Sequence, residues 1–337
     1  MKKNLDDISR DLIGILSENG EGDPQSIIYR EMMLNIGLIR EEKFDTGELK
    51  LLHTAFKELR YALSVFRKYR GVRKAAVFGS ARTPKHHHDF KMAESFGRGL
   101  AKAGWMLITG GASGIMEAAM VGAGARHCFG LNILLPFEQE ANAIIKNNPK
   151  LMFFKYFFTR KLMFLKESDA TVLFPGGFGT FDEGFESFTL VQTGKAKPRP
   201  LVLVDPRGST FWSSTLEVLR KNMEDGGLIS PGDLELMRHF QDPESAVNEI
   251  TEFYGNYHSS RFLKDAYLIR VRRHLDAKKL KRLNIEFADI CVRGKFEKLK
   301  DLSLDDDKDP KLERIVFYFD RSGYGRLRKL IDVLNSF

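Results

Sequence analysis

Residues 170–183 read ATVLFPGGFGTFDE, and the fold predicted for the whole chain follows from this stretch. Its first five residues form an apolar run of the length and kind found in a strand buried on both faces. Pro175 ends that strand. Three glycines come next, and a ligand can approach the backbone at each of them because no Cβ is present: Gly176, Gly177 and Gly179.

The helix predicted after these glycines begins near Thr180, whose hydroxyl can cap it. The free N–H groups of a helix N-terminus bind phosphate well. The same first turn holds Asp182 and Glu183, and a carboxylate repels phosphate. We therefore interpret Glu183 as a candidate for chemistry. The alternative is a partner for the helix dipole, which is common and contributes only about 0.3–1 kcal/mol.

Strands and helices alternate on both sides of this stretch, from about residue 74 to residue 223. The predicted strands include 75–78, 105–108, 128–135 and 201–204. Such alternation predicts a mostly parallel, doubly wound sheet, whose ligands lie beyond the carboxyl ends of its strands. Two further turns fall at that end, and with the first they favour a phosphate or ribose site: Gly79-Ser80, and the 109–114 turn with Gly110, Gly111 and Gly114.

The regions before and after this core have a different pattern. Apolar residues at helical spacing over 27–39 and 51–66, with Asp45-Thr46-Gly47 as the break, predict a helical extension over 1–70 for packing or dimerisation. The α/β unit is assigned to 71–257, with 231–257 read as helical. Residues 258–337 are predicted to form a small, basic α/β accessory domain.

The 337 residues have an ordinary apolar content of 43% and contain no run long enough to span a membrane. The opening MKKNLDDISR is not a signal peptide. Cys128 and Cys291 both lie in apolar surroundings, so two free buried thiols are expected rather than a disulfide. These features predict a cytoplasmic protein.

The formal charge of +8 is concentrated in residues 261–300, which hold 13 Lys/Arg and 5 Asp/Glu. Such a region can meet an anionic ligand or nucleic acid. A solvated face is the more ordinary interpretation.

Several other motifs are absent or weak. The chain has no GxGxxG fingerprint, no GxxxxGK[ST] loop and no GxSxG elbow, which disfavours NAD, ATP-motor and serine-hydrolase chemistry. His86-His87-His88 lacks the spacing of a metal site and is expected to be a solvated loop, so neither metal nor cofactor is predicted. Methionines such as Met116 and the many phenylalanines are expected to fill the core.

Two charged residues in predicted first turns have open interpretations. Glu117 is either a dipole partner or a ribose contact. Arg160 opens a helix, where a cation opposes the helix dipole, so it has a functional reason to be there or is a surface arginine.

At these residues the sequence resembles the LOG (Lonely Guy) family, often labelled lysine decarboxylase-like. The family's PGGxGTxxE motif is complete from Pro175 to Glu183. Its Arg-Lys pair resembles Arg160-Lys161, with the following methionine one residue earlier than usual. Its GS turn matches Gly79-Ser80, and its GGxxGxM turn matches residues 110–116. The resemblance covers roughly residues 74–223.

The resemblance implies a Rossmann-like nucleoside 5′-monophosphate phosphoribohydrolase, an N-glycosidase that releases a free base and ribose 5-phosphate. The catalytic arginine and glutamate of the family carry over to Arg160 and Glu183. A homodimer or higher homo-oligomer is also implied. Decarboxylation is not, because no pyridoxal-phosphate lysine motif is present.

The additional segments make the chain similar to the longer bacterial relatives, so cytokinin activation is not implied. An anionic effector at the basic C-terminal domain is a further expectation. The competing interpretation is a non-catalytic nucleotide sensor or nucleic-acid-binding protein of the same superfamily. No motif specifies the base.

Overall fold

The structure is a computed structural model that describes residues 10, 11, 13, 14, 23–136 and 140–337. The opening segment, on which the absence of a signal peptide was predicted, therefore lies almost wholly outside the described residues. No described helix is both long and apolar enough to cross a membrane. The chain divides into two compact units, Met1–Lys57 and Glu58–Phe337. The boundaries near residues 70 and 257 remain predictions.

Two helices come first, and side-chain caps define where they begin. Helix α1 (Pro24–Glu41) follows Asp23, whose carboxylate accepts a hydrogen bond from the N–H of Gln25. Helix α2 (Thr46–Phe66) follows Asp45, which accepts from the N–H of Glu48 while the Glu48 carboxylate accepts from the N–H of Asp45. This reciprocal capping box places the start of the helix at Thr46. Residues 46 and 47, which were predicted to lie in a break, therefore belong to its first turn.

The main sheet has seven strands in the order β4-β3-β2-β1-β5-β6-β7, and every pair of neighbours is parallel. Its strands are β1 (Lys74–Phe78), β2 (Met106–Thr109), β3 (Cys128–Ile133), β4 (Leu151–Phe154), β5 (Ala170–Leu173), β6 (Leu201–Val204) and β7 (Met237–Phe240). The helices of this region are α3 (His88–Lys102), α4 (Ile115–Ala123), α5 (Phe157–Glu167), α6 (Phe178–Gln192), α7 (Phe211–Leu219) and α8 (Pro243–Phe253).

Helices cover both faces of this sheet. Strand residues alternate between the faces, so Ala75 and Val77 pack in a cluster with α3, α4 and α8, whereas Ala76 and Phe78 pack in another with α2, α5 and α7. Strands buried on both sides read as continuous apolar runs, which is why β1, β5 and β6 were recognisable in the sequence. The predicted doubly wound α/β fold is confirmed.

The strand order places a topological switch between β1 and β5. From β1 the chain adds β2, β3 and β4 on one side, then returns to add β5, β6 and β7 on the other. The connections that leave β1 and β5 therefore turn towards opposite faces of the sheet, and a crevice opens between their carboxyl ends.

The second, smaller sheet is antiparallel, in the order β10-β11-β9-β8. Its strands are β8 (Tyr257–Leu263), β9 (Ala266–Val271), β10 (Cys291–Lys298) and β11 (Glu313–Phe319), and its helices are α9 (Ala277–Glu286) and α10 (Tyr324–Ser336). A separate apolar cluster holds this part together. The small C-terminal α/β arrangement agrees with the predicted fold class.

The prediction that residues 231–257 are helical was wrong at two places. Strand β7 lies inside this range, and β8 begins at its end. Strand β7 reads MRHF and is half-buried throughout, because it is the edge strand of its sheet. An edge strand needs no apolar alternation, so the sequence gives no strand signal there.

Much of the positive charge in residues 261–300 is paired. Asp305 is buried, and Arg270 and Arg314 both hold its carboxylate, which keeps the pKa of Asp305 well below its usual range. Arg261 pairs with Asp306 at 2.6 Å. The acidic residues that follow the basic segment therefore neutralise part of it. Cys128 and Cys291 are both free thiols, and Cys128 is buried as predicted, whereas Cys291 is only half-buried.

Candidate active site

A cavity of about 650 Å³ opens at the carboxyl ends of β1 and β5, at the topological switch. Eight of the residues that the sequence singled out line it: Gly79, Ser80, Gly110, Arg160, Gly177, Gly179, Thr180 and Glu183. Phe78, Ala81, Arg82, Met116, Phe164 and Phe178 complete the lining. The turns after β1, β2 and β5 therefore converge, as the position of the glycines predicts.

Backbone hydrogen bonds lock these turns together. The N–H of Ser80 donates to the Pro175 carbonyl at 3.0 Å, and the N–H of Ile115 donates to the Ser80 carbonyl at 3.0 Å. A Cβ on Gly114 would lie 2.2 Å from that same Ser80 oxygen, and Gly114 has φ +69°. A Cβ on Gly176 would lie 2.2 Å from the Thr180 hydroxyl. The close packing of the turns therefore explains why positions 114 and 176 are glycines.

The N-terminus of α6 faces the cavity. Gly177 is the N-cap residue, and the N–H groups of Phe178 and Gly179 are among those that have no partner within a helix. The N–H of Thr180 already donates to the Gly177 carbonyl at 2.9 Å, so it is less available to a ligand. A Cβ on Gly177 or Gly179 would meet no atom within 4 Å, which leaves room for a ligand there. This helix end can hold an anion.

Glu183 lies one turn further along α6 and is buried, with 5% of its surface exposed. Its carboxylate is 3.6 Å from the Arg160 guanidinium and 3.2 Å from the Lys161 ammonium. Lys161 also lies 2.8 Å from Asp182 and 3.1 Å from Glu186. Lys161 is therefore within ion-pair distance of three carboxylates. Of these three, only the carboxylate of Glu183 is both buried and on the cavity wall.

The pKa directions in this cluster follow from burial and charge. Burial raises the pKa of Glu183, against the opposing effect of Lys161 and Arg160. Burial alone would lower the pKa of Lys161, but its three carboxylates raise it overall. Burial lowers the pKa of Arg160. A carboxyl group with a raised pKa on a cavity wall is typical of an acid–base catalyst.

Two aromatic rings lie beside Arg160, and a carboxylate lies at the start of its helix. Its guanidinium lies 5.0 Å from the Phe157 ring centroid and 5.8 Å from that of Phe164. Glu58 accepts hydrogen bonds from the N–H of Lys155 and from the Thr159 hydroxyl at the start of α5. This carboxylate offsets the unfavourable placement of cations at a helix N-terminus. Among the described residues, the buried Nε of Arg160 has no hydrogen-bond partner, and a ligand could provide one.

Five predicted site residues are not on the cavity lining: Gly111, Gly114, Glu117, Pro175 and Gly176. The Cα of Gly111 faces Gly130 and Ile145, and its φ of +71° explains the need for glycine. Glu117 pairs with Lys85 at 2.9 Å. Pro175 contributes its carbonyl to Ser80. Gly114, Pro175 and Gly176 hold the turns together next to the cavity. For all five residues, a contact with substrate remains a prediction.

Sequence reasoning missed seven residues of this site, and four of them are informative. Lys161 was noted only as a motif partner, although two adjacent cations in a first turn were a signal. Phe178 and Met116 were expected in the core, yet both line the cavity, and Phe178 is 96% exposed. Its position between two glycines could have indicated exposure. Arg82 is an exposed cation on the lining, and no motif marks it.

His86, His87 and His88 do not form a cluster of metal ligands. His88 begins α3, and the His87 ring caps this helix by accepting a hydrogen bond from the N–H of Asp89. Across the described ranges, no group of three or more His, Cys, Asp or Glu side chains is arranged to hold a metal ion.

The fold and this cavity define a class, that of doubly wound α/β proteins with a buried glutamate and an arginine at the topological switch. Residues 113–250 match the family described as "Possible lysine decarboxylase". The chain is 29% identical over 165 residues to a cytokinin riboside 5′-monophosphate phosphoribohydrolase of Mycobacterium tuberculosis, covering 48% of this chain and 83% of that protein. It is 28% identical over 188 residues to cytokinin riboside 5′-monophosphate phosphoribohydrolase LOG3 of Arabidopsis thaliana, covering 54% and 83%.

The chain is therefore similar to proteins of the LOG family over about half of its length. Its structure also aligns with the DNA processing protein A of Helicobacter pylori, at 18% identity and a TM-score of 0.39, over 55% of this chain and 83% of that one. A structural likeness of this size carries no functional conclusion.

Proposed function

We propose that this chain hydrolyses the N-glycosidic bond of nucleoside 5′-monophosphates, releasing the free base and ribose 5-phosphate. The observation that supports this most is the placement of Glu183. A buried carboxylate of raised pKa lies on the wall of a cavity whose adjoining wall is an anion-binding helix N-terminus. The family match over residues 113–250 includes both Arg160 and Glu183, and relatives of this chain are named phosphoribohydrolases.

The chemistry requires a negative charge near the anomeric carbon. Cleavage of a glycosidic bond passes through a state that resembles an oxocarbenium ion, and a carboxylate stabilises this state or activates the attacking water. Glu183 takes that role. Water adds to C1′, the C1′–N bond breaks, and the base leaves with a proton.

The remaining lining residues bind and orient the substrate. The N–H groups of Phe178 and Gly179 hold the 5′-phosphate at the start of α6. Arg160 orients Glu183 and supplies its unpaired Nε to the sugar or the base. Ser80 donates a hydrogen bond from its hydroxyl to the nucleotide.

The test is to incubate the full chain with a panel of nucleoside 5′-monophosphates and to measure free base by chromatography. The wild type is expected to release base from at least one of them. Glu183→Gln is expected to lose about 10²–10⁴-fold in turnover, the range attributed to a positioned acid–base group.

Asp182→Asn is the matched control. It removes a neighbouring carboxylate that also contacts Lys161 but is 58% exposed at its side chain. It is expected to stay within about fivefold of wild type, because the group it removes is not on the cavity wall. Wild-type turnover in Glu183→Gln would remove this residue from the mechanism, and the absence of base release from every nucleotide would refute the proposal.

The same panel separates the proposal from the alternative raised by the sequence. A non-catalytic nucleotide sensor or nucleic-acid-binding protein would bind nucleotides and release no base. The homo-oligomer stays a prediction. The sequence specifies no base, and the panel identifies the preferred base directly.

A further inference from the structure

A second cavity, of about 620 Å³, lies at the opposite edge of the main sheet. Arg73 precedes β1, Asp169 precedes β5 and Arg199 shortly precedes β6, so the cavity is at the amino ends of these strands. Tyr257, His258 and Ser259, at the start of β8, close its other side. It therefore lies where the parallel sheet meets the C-terminal sheet.

The lining of this cavity is strongly basic. Five cationic side chains contribute to it: Arg73, Lys166, Lys195, Lys197 and Arg199. The one carboxylate among the described residues of the lining is Asp169, and it is already paired with Arg73 at 3.0 Å and with the N–H of Lys74 at 3.0 Å. In the part of the chain that the structure describes, no carboxylate lies within ion-pair distance of Lys195, Lys197 or Arg199.

Arg199 has a buried donor nitrogen without a hydrogen-bond partner among the described residues. One of its terminal nitrogens donates to the Leu165 carbonyl at 2.9 Å and to the Ser168 hydroxyl at 3.2 Å, an ordinary structural use at the end of α5. Its Nε, however, is buried and has no hydrogen-bond partner among the described residues. A buried donor left unpaired is costly, and a bound acceptor would satisfy it.

The surroundings of His258 agree with a positive potential in the cavity. Burial and the nearby charges of Arg272 and Arg73 lower the pKa of this histidine. Burial is the largest cause, and an anion placed beside the ring would oppose the part that comes from the arginines.

We infer that this second cavity is a binding site for a small, multiply charged phosphorylated molecule. Arginine and lysine side chains without carboxylate partners suit phosphate oxygens, and arginine can bind them in bidentate fashion. A concave site of this volume fits a small ligand, whereas nucleic acid is bound along extended basic surfaces. This site lies partly outside the C-terminal segment to which the sequence assigned an anionic effector.

Two helices connect this cavity to the first one. Helix α5 carries Arg160 on the first cavity and Leu165 and Lys166 on the second. Helix α6 carries Glu183 on the first and Leu190 on the second. Occupancy of the second cavity is therefore expected to alter turnover in the first. This consequence rests on the proposed function, whereas the binding does not.

The experiment uses inorganic pyrophosphate as the probe and the imidazole NMR signal of His258 as the readout, because this ring lines only the second cavity. The signal is assigned as the one missing from His258→Gln. In the wild-type full chain it is expected to shift saturably as pyrophosphate is added at constant ionic strength. The double variant Lys195→Gln/Lys197→Gln is expected to need at least tenfold more pyrophosphate.

The control double variant, Lys91→Gln/Lys221→Gln, removes the same charge from exposed lysines that line neither cavity. It is expected to match wild type within twofold. The inference fails if pyrophosphate produces no saturable shift, if both double variants respond alike, or if sodium chloride of equal ionic strength gives the same shift. It also fails if a single-stranded oligonucleotide saturates the site at lower concentration than pyrophosphate. A saturable shift without any base release would refute the hydrolase and leave this site standing.

Discussion

The two cavities are nearly equal in volume, about 650 and about 620 Å³, and both are lined by arginines, but their carboxylates differ. In the first cavity Glu183 is buried on the wall, and burial raises its pKa. In the second cavity, the carboxylate of Asp169 is part of an ion pair with Arg73 and caps a strand. The first site therefore has a buried carboxylate of raised pKa on its wall, whereas the carboxylate of the second is half-buried and outnumbered by five cationic side chains.

This difference teaches that a cavity with cations becomes a candidate for catalysis when its wall also holds a buried carboxylate whose pKa is raised. Arg160 and Lys161 lie beside Glu183, and the buried Nε of Arg160 has no hydrogen-bond partner among the described residues. The cations of the second cavity can only attract and hold an anion. The edge of the sheet matters too, since the first cavity lies at the carboxyl ends of the strands, where a helix N-terminus contributes its N–H groups.

After that of Glu183→Gln, the largest effect is expected for Arg160→Ala. It removes the guanidinium that lies 3.6 Å from Glu183, together with its buried Nε, which has no hydrogen-bond partner among the described residues. We expect kcat/KM for base release to fall by about 10²–10³-fold, the loss seen when one positioned donor is removed. Lys155→Ala, an exposed cation just before α5, is the control and is expected to stay near wild type. Equal losses in both variants would show that general positive charge, and not this arginine, matters.

The next effect concerns the packing of the turns around the first cavity. Gly114→Ala would place a Cβ 2.2 Å from the Ser80 oxygen at a φ of +69°. We expect it to lower the free energy of unfolding by about 2–4 kcal/mol, measured by urea denaturation. Gly177→Ala is the comparison, because its φ is negative and its Cβ would meet open space. Its cost is expected to stay below about 1 kcal/mol. Similar costs for the two variants would contradict the tight junction.

Lys161→Gln addresses the electrostatics of Glu183. Without Lys161, three carboxylates lose their shared cation, and the pKa of Glu183 rises further above its ordinary value. If the ionised carboxylate is the active form, the acidic limb of the pH–rate profile moves to higher pH, and activity below that limb falls about tenfold for each pKa unit. Lys161→Arg keeps the charge and should restore the profile. An unshifted limb in Lys161→Gln would separate Glu183 from the rate.

The smallest effect is on stability. Because the pKa of Glu183 is raised in the folded state, its protonated form favours folding, and this contribution is lost as the pH rises through the folded-state pKa. Glu183→Gln keeps a neutral group there. At pH 7 we expect its Tm to equal or exceed that of wild type by about 1–2 °C, and the difference to vanish below the ordinary glutamate pKa. A Tm below wild type at pH 7 would mean that the ion pairs outweigh burial.

The sequence predicted the first cavity well and the second not at all, for a physical reason. Glycines at strand ends and a carboxylate in a first turn are local signals, and the turns after β1, β2 and β5 meet because parallel strands end at one edge. The second cavity joins residues as distant in sequence as Arg73, Lys197 and His258. No local pattern marks such a site. It becomes visible only when the C-terminal sheet is placed against the amino edge.

Individual residues show the same limit. Glu183 could be predicted because its motif marks it, but its predicted place in the first turn was wrong, since the helix begins at Phe178 and its first turn holds no acidic residue. Phe178 could not be separated from core phenylalanines, since only the three-dimensional turn leaves it 96% exposed. The basic segment 261–300 appeared free because its acidic partners, such as Asp305, follow it in the chain.

A crystal structure of Glu183→Gln with a bound nucleoside 5′-monophosphate tests the central claim most directly. The account predicts the 5′-phosphate at the N–H groups of Phe178 and Gly179, and C1′ within about 3–4 Å of the side chain at position 183, as a reacting pair requires. A nucleotide seated in the second cavity, or one whose C1′ faces away from position 183, would contradict it.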